Sequence, residues 1–191
     1  MKIHLIASRP TLEQDVALLR KIVVIIHENR HELAREWIEG AYDNFTKHGH
    51  VSNDWSTIFK KSLEAIAGAD LVIAETSHEN FGVGYMVSYA VQNKKPILLL
   101  RRDGASDDAF ARGVEDGWVK HESYTDETVG NIVKKFIDDN DIKSKDMRFN
   151  FFLDRKIYNY LRWASFKTGK TKAEILRELV QQEIDKKGSL D

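Results

Sequence analysis

The chain has no cysteine and only two prolines in 191 residues. The first absence excludes disulfides and thiolate metal sites and leaves the redox compartment almost unmarked. Long apolar runs are missing as well. No stretch approaches bilayer-spanning length, and the N-terminal Lys2-Ile3-His4-Leu5-Ile6 reads as a strand, too short for a signal peptide. No membrane contact is expected, and the cytoplasm is the default location. His4 and His78 lack an Asp or His partner at ligand spacing, so neither a metal nor a cofactor is expected. An excess of one charge is also absent, with 29 basic against 30 acidic residues. The balance shifts along the chain: from residue 148 onward, ten basic residues face six acidic ones, which points to a C-terminus turned toward nucleic acid. The length suits one large domain, or a domain with a small module, and allows a core of real size.

What is present centres on Gly68 to Arg102. Leu71-Val72-Ile73-Ala74 and Ile97-Leu98-Leu99-Leu100 are unbroken apolar runs of strand length, as in strands covered by helices on both faces of a parallel sheet. Between them Gly82-Val83-Gly84 opens a helix that carries Val83, Met86, Val87, Ala90 and Val91 at helical spacing and stops at Asn93-Lys94-Lys95-Pro96. This is a βαβ unit. Open α/β sheets bind ligands at the carboxyl ends of their strands, where the free N–H groups of the following helix favour an anion.

Ala69-Asp70-Leu71-Val72-Ile73-Ala74-Glu75, Gly82-Val83-Gly84-Tyr85 and Asn93-Lys94-Lys95-Pro96 resemble the nucleoside 2-deoxyribosyltransferases and the 2′-deoxynucleoside 5′-monophosphate N-glycosidases. The likeness extends more weakly over residues 1 to about 138. It implies a doubly wound, mostly parallel α/β body with a nucleoside or nucleotide ligand, and ligand-binding positions at Ser8, Glu75, Asn80, Gly82, Gly84 and Tyr85. The family nucleophile is a glutamate directly after Gly-x-Gly-Tyr; here that position is Met86. The family's sugar-positioning aspartate falls on Ser62, and the serine expected before Ala109-Phe110-Ala111-Arg112-Gly113 is Asp108, whose carboxylate would repel a phosphate. The loop Ala7-Ser8-Arg9-Pro10-Thr11 lacks the glycines that let backbone approach a phosphate. No catalytic residue is therefore expected, with Glu75 and Glu79 as fallback carboxylates beside the pocket.

Around this unit, Ile3 to Ala7 reads as the first strand, followed by one helix capped by Thr11 and running to about His27. Residues 30–54 support two readings, a short strand near His31 to Glu36 or a helix through Glu32 to Glu39. Trp55 to Ile66 form an amphipathic helix, Trp118-Val119-Lys120 a last strand, and Thr128 to Ile137 a closing helix. The polar stretch 139–147 reads as a linker.

Residues 148–191 form a second module. Arg148 to Leu153 alternates like a strand. Asp154 then caps a helix carrying Ile157, Leu161, Ala164 and Phe166, and Thr171 caps another with Ile175, Leu176, Leu179, Val180 and Ile184 on one face. This layout resembles the ribbon-helix-helix fold of Arc/MetJ-type DNA-binding proteins. A lone strand leaves its backbone groups unpaired, so the module is expected to dimerise. The resemblance implies that Arg148, Asn150 and Phe152 face a major groove, with Lys170, Thr171 and Lys172 at the phosphates. The expectation is a homodimer or higher homo-oligomer that binds duplex DNA as a regulator, its body a catalytically degenerate nucleotide sensor or scaffold. The alternative is a nucleoside or nucleotide N-glycosidase or deoxyribosyltransferase that uses the tail only to oligomerise.

Overall fold

A computed structural model of the chain describes residues 1–51, 54–105, 117–141 and 152–187. It divides into two compact units, Met1–Lys143 and Ser144–Asp191. In the first, five strands form one parallel sheet in the order β2-β1-β3-β4-β5, with β1 at Lys2–Ile6, β2 at Glu32–Leu33, β3 at Leu71–Glu75, β4 at Ile97–Arg102 and β5 at Val119–Tyr124. The α/β body read from the apolar runs is thus present.

Side chains alternate across each strand, so the sheet feeds two cores. Ile3, Leu5, Leu71, Ile73, Leu98 and Leu100 pack on one face against α2 (Val16–Glu28) and α6 (Val129–Asn140). Ile6, Val72, Ala74, Ile97 and Leu99 pack on the other against Ile66 of α4 (Trp55–Gly68) and Val83 and Ala90 of α5 (Phe81–Gln92). His4 lies between Ile3 and Leu5 and therefore faces the α4 and α5 side.

Two local expectations change. The first helix is broken into α1 (Arg9–Gln14) and α2 at Asp15, because Ser8, not Thr11, caps α1 by accepting from Thr11 N, and the Asp15 carboxylate accepts from Leu18 N to start α2. A side chain that bonds the backbone ahead of it offers an alternative to continuing the helix. In the region left open, the strand reading holds: β2 pairs Glu32 and Leu33 with Lys2 and Ile3, and the helix expected through Glu32 to Glu39 starts only at Ile38, as α3 (Ile38–His48).

In the second unit, α7 (Arg155–Thr168) is capped by Asp154 and ends at Gly169, whose φ of 70° is the left-handed region where glycine is favoured. α8 (Lys172–Lys187) packs against it through Leu161, Ala164 and Ile175. Ile157, Phe166, Leu179, Val180 and Ile184 are exposed in this unit. A single pair of helices has too little partner surface to cover both apolar faces. The strand expected over 148–153 lies mostly outside the described residues.

Candidate functional site

A cavity of about 920 Å³ opens at the carboxyl end of β1 and runs down between β1, α4 and the start of α5. The sequence-predicted positions Ser8, Asn80, Gly82, Tyr85 and Met86 all line it. Local chemistry sets them there. Ser8 Oγ accepts from Thr11 N to start α1, and Asn80 Oδ1 accepts from Val83 N at 3.1 Å to start α5, so two helix N-termini converge on one rim. A Cβ on Gly82 would stand 3.1 Å from Asn80 Oδ1, tight enough to disturb that cap. Tyr85 tilts against Phe59 and Phe81, with ring centroids 5.3 and 6.4 Å apart, which gives the mouth an aromatic wall suited to a flat base.

Several lining residues were not singled out as site residues from the sequence. Trp37, whose Nε1 donates to Leu5 O at 2.9 Å, and Trp55 add to the aromatic wall. Arg35 donates through Nη1 to Ile58 O at 3.2 Å and to Ser62 Oγ at 2.7 Å. Ser62, at the family aspartate position, is thus a buried hydroxyl held by a guanidinium. Glu36 is the one carboxylate among the described lining residues, and its Oε1 lies 3.6 Å from His27 Nε2. His4 forms part of the deep wall. Burial, aided by the nearby positive charge of Arg35, pulls its pKa down to about 4, and its Nδ1 has no hydrogen-bond partner.

The fallback carboxylates lie elsewhere. Glu75 is fully buried at the end of β3 and borders a separate cavity of about 470 Å³. It accepts from Thr11 Oγ1 at 2.5 Å, from Tyr124 OH at 3.0 Å, from Ser77 N at 3.0 Å and from Ser77 Oγ. Held by these four donors, it ties β3 to β5 and α1. Burial, with Glu75 nearby, pushes the Tyr124 pKa up, so the phenol stays a donor. Glu79 is exposed and, like Gly84, lines neither cavity. No group of three His, Asp or Glu among the described residues is placed to hold a metal. No described helix is long and apolar enough to cross a membrane.

Of the tail positions, Arg148 and Asn150 lie outside the described residues, and Phe152 is exposed. The others are engaged within their own unit. Lys170 Nζ pairs with Glu178 at 2.5 Å, Thr171 N and Oγ1 donate to Glu174 Oε2 at 2.7 and 2.9 Å, and Lys172 Nζ sits 4.4 Å over the Tyr158 ring.

No family profile matches the chain. A 5-hydroxymethyl-dUMP N-hydrolase from Branchiostoma floridae is 34% identical over 93 residues, which are 46% of this chain and 87% of the relative. The chain belongs to the 5-hydroxymethyl-dUMP N-hydrolase family. A second member, from Esox lucius, is 28% identical over 141 residues, covering 71% of the chain and 95% of the relative. A CMP N-glycosidase of Clostridium botulinum shares the fold with a TM-score of 0.51 at 18% identity, over 71% of this chain and 97% of that one. These relatives overturn the expectation of a DNA-binding regulator built on a degenerate body. That expectation rests on the residues at Met86, Ser62 and Asp108 and on the charge of the tail, whereas the relatives carry names of N-hydrolases and so favour the enzyme alternative.

Proposed function

We propose that the body, residues 1 to about 138, hydrolyses the N-glycosidic bond of a nucleoside or nucleotide in the 920 Å³ cavity. The observation that carries this reading is the convergence of Ser8, Asn80, Gly82, Tyr85 and Met86 on one aromatic-walled cavity that also contains Glu36. Tyr85, Phe59 and Trp55 hold the base, and the sugar lies over Met86. Met86 cannot attack C1′, so water does. Glu36 accepts a proton from that water as its oxygen bonds to C1′, the C1′–N bond breaks, and the base leaves with the bonding pair and is protonated from solvent. The products are a free base and a sugar with a C1′ hydroxyl.

Chromatographic detection of free base, across deoxy- and ribonucleosides and their 5′-monophosphates, tests the reading. Turnover that falls about 100-fold or more in Glu36→Gln supports it. No release from any of them by the intact chain, or turnover indifferent to Glu36→Gln, refutes it.

We propose further that residues 148–191 are a ribbon-helix-helix unit whose work is to pair two copies of the chain. The α7–α8 pair buries Leu161, Ala164 and Ile175 but leaves Ile157, Leu179, Val180 and Ile184 exposed, an apolar surface that a second copy would cover. Light scattering on the whole chain and on residues 1–143 checks this: the whole chain is expected to have at least twice the monomer mass, and the truncated body a lower oligomeric state. A monomeric whole chain excludes it.

A further inference from the structure

Three charged side chains stand among the described residues of the cavity wall: Arg9, Arg35 and Glu36. Arg9 Nε donates to Glu13, so its charge is answered within α1. Arg35 meets no carboxylate among the described residues. Its Nη1 donates to Ile58 O at 3.2 Å and to Ser62 Oγ at 2.7 Å, which lie one turn apart on α4, so the guanidinium is pinned to that helix next to Phe59. Nη2 and Nε have no described acceptor. Burial pulls the Arg35 pKa down, as expected for a positive charge held partly out of water. The wall thus holds a fixed cation with unpaired donors beside Phe59, whose ring meets Tyr85.

We propose that Arg35 stabilises the departing base, donating from Nη2 and Nε to the ring atoms that take up negative charge as the C1′–N bond breaks. The inference deepens the hydrolase reading of this cavity and rests on it for the base lying against Phe59. When that bond breaks, its electron pair stays on the base and spreads to the carbonyl oxygens of a pyrimidine or the ring nitrogens of a purine. These atoms accept, and a guanidinium offers only donors. Hydrogen bonds between a cation and an ionised acceptor are shorter and stronger than those to a neutral one, so the contact tightens as charge develops and favours the transition state over the bound substrate. Arg35 keeps its protons throughout, and the base takes its proton from solvent afterwards. Positive charge develops at C1′ in the same step, and the neighbouring residue, Glu36, is an anion. Two successive residues on one wall therefore match the two signs that the reaction separates.

Calorimetric titration with two pairs of free bases at neutral pH separates the contact from turnover: barbiturate, a pyrimidine anion, against neutral uracil, and urate, a purine anion, against neutral hypoxanthine. The wild type is expected to bind at least one anion about tenfold or more tightly than its neutral counterpart. The preference is expected to vanish in Arg35→Met, to shrink in Arg35→Lys and to persist in Arg9→Met. Equal binding within both pairs, or a preference that survives Arg35→Met, overturns the inference. Should Arg35→Met not fold, Arg35→Lys decides: a smaller preference supports the contact, an unchanged one overturns it. Kinetics give a second readout, with deoxyuridine and 5-fluorodeoxyuridine, each as nucleoside and as 5′-monophosphate. Arg35→Met is expected to lower kcat about 100-fold for the uracil substrates, with little change in KM, and by clearly less for the fluorinated ones, whose base carries negative charge more readily. An equal loss for both bases overturns the inference and leaves the hydrolase reading standing. No base release from any nucleoside or monophosphate sinks the hydrolase reading, and the step assigned to Arg35 with it.

Discussion

His4 couples the cavity wall to the pH dependence of folding, and the coupling has a definite sign. In the native protein its pKa lies at about 4, against 6.5 for an unperturbed imidazole, because the ring is buried and faces the charge of Arg35. Below pH 6.5 the unfolded chain binds a proton that the folded chain does not, so stability falls as pH falls and keeps falling until about pH 4. Between pH 7 and pH 5 the difference is about 2 kcal/mol, and it approaches about 3 kcal/mol below pH 4. The assay is urea unfolding at pH 7 and pH 5, wild type beside His4→Gln, which keeps a polar side chain but cannot titrate. Every other ionisable group is common to both proteins, so the difference of differences isolates residue 4. The wild type is expected to lose about 2 kcal/mol more than the variant over this interval, or about 4–8 °C in Tm. Equal losses in the two proteins would refute the account, since they would mean that His4 is solvated in the native state.

Glu75→Gln leaves Thr11, Ser77 and Tyr124 facing an amide in place of a carboxylate, and a loss of about 2–4 kcal/mol is expected, read as a lowered thermal midpoint. Any turnover that remains at a temperature where the variant is folded marks Glu75 as structural; a stable but inactive variant contradicts that role. Met86→Glu places a carboxylate in the cavity wall where the sugar is proposed to lie, and a covalent sugar adduct is expected in the mass spectrum of the variant incubated with a deoxynucleoside. An adduct on the wild type instead would show that another side chain is the nucleophile.

The parts of the fold legible in the sequence are those whose signal is local. Leu71 to Ala74 and Ile97 to Leu100 are four-residue apolar runs and became central strands with every one of those side chains buried. The start of α5 was legible for the same reason, since Asn80, Gly82 and Gly84 all lie at its cap and first turn. The break at Asp15 was not, because Thr11, one turn beyond the true cap Ser8, is itself a capping residue type. β2 gives almost no signal, as two residues at a sheet edge carry no periodicity. Arg35, Glu36 and Trp37 form no motif, and only the pairing of β2 with β1 brings them over the cavity.

The carboxylates show what local reading leaves out of a site. Glu75 directly follows an apolar strand at the ligand-binding edge, and so it draws suspicion as a reactive acid. Its four donors argue otherwise: Ser77 N, Ser77 Oγ and Tyr124 OH all bond Oε1 and Thr11 Oγ1 bonds Oε2, so the fully buried group is committed to tying β3 to β5 and α1. Glu36 has the opposite profile. It sits in a stretch without a motif, its side chain is exposed at the cavity mouth, and among the described residues its ion-pair contact is a histidine 3.6 Å away. A general base needs a free lone pair and access to water more than it needs burial. Under the proposed hydrolysis, with a thioether at Met86, water activation would fall to Glu36, while Glu75 ties β3 to β5 and α1 beside the separate, smaller cavity.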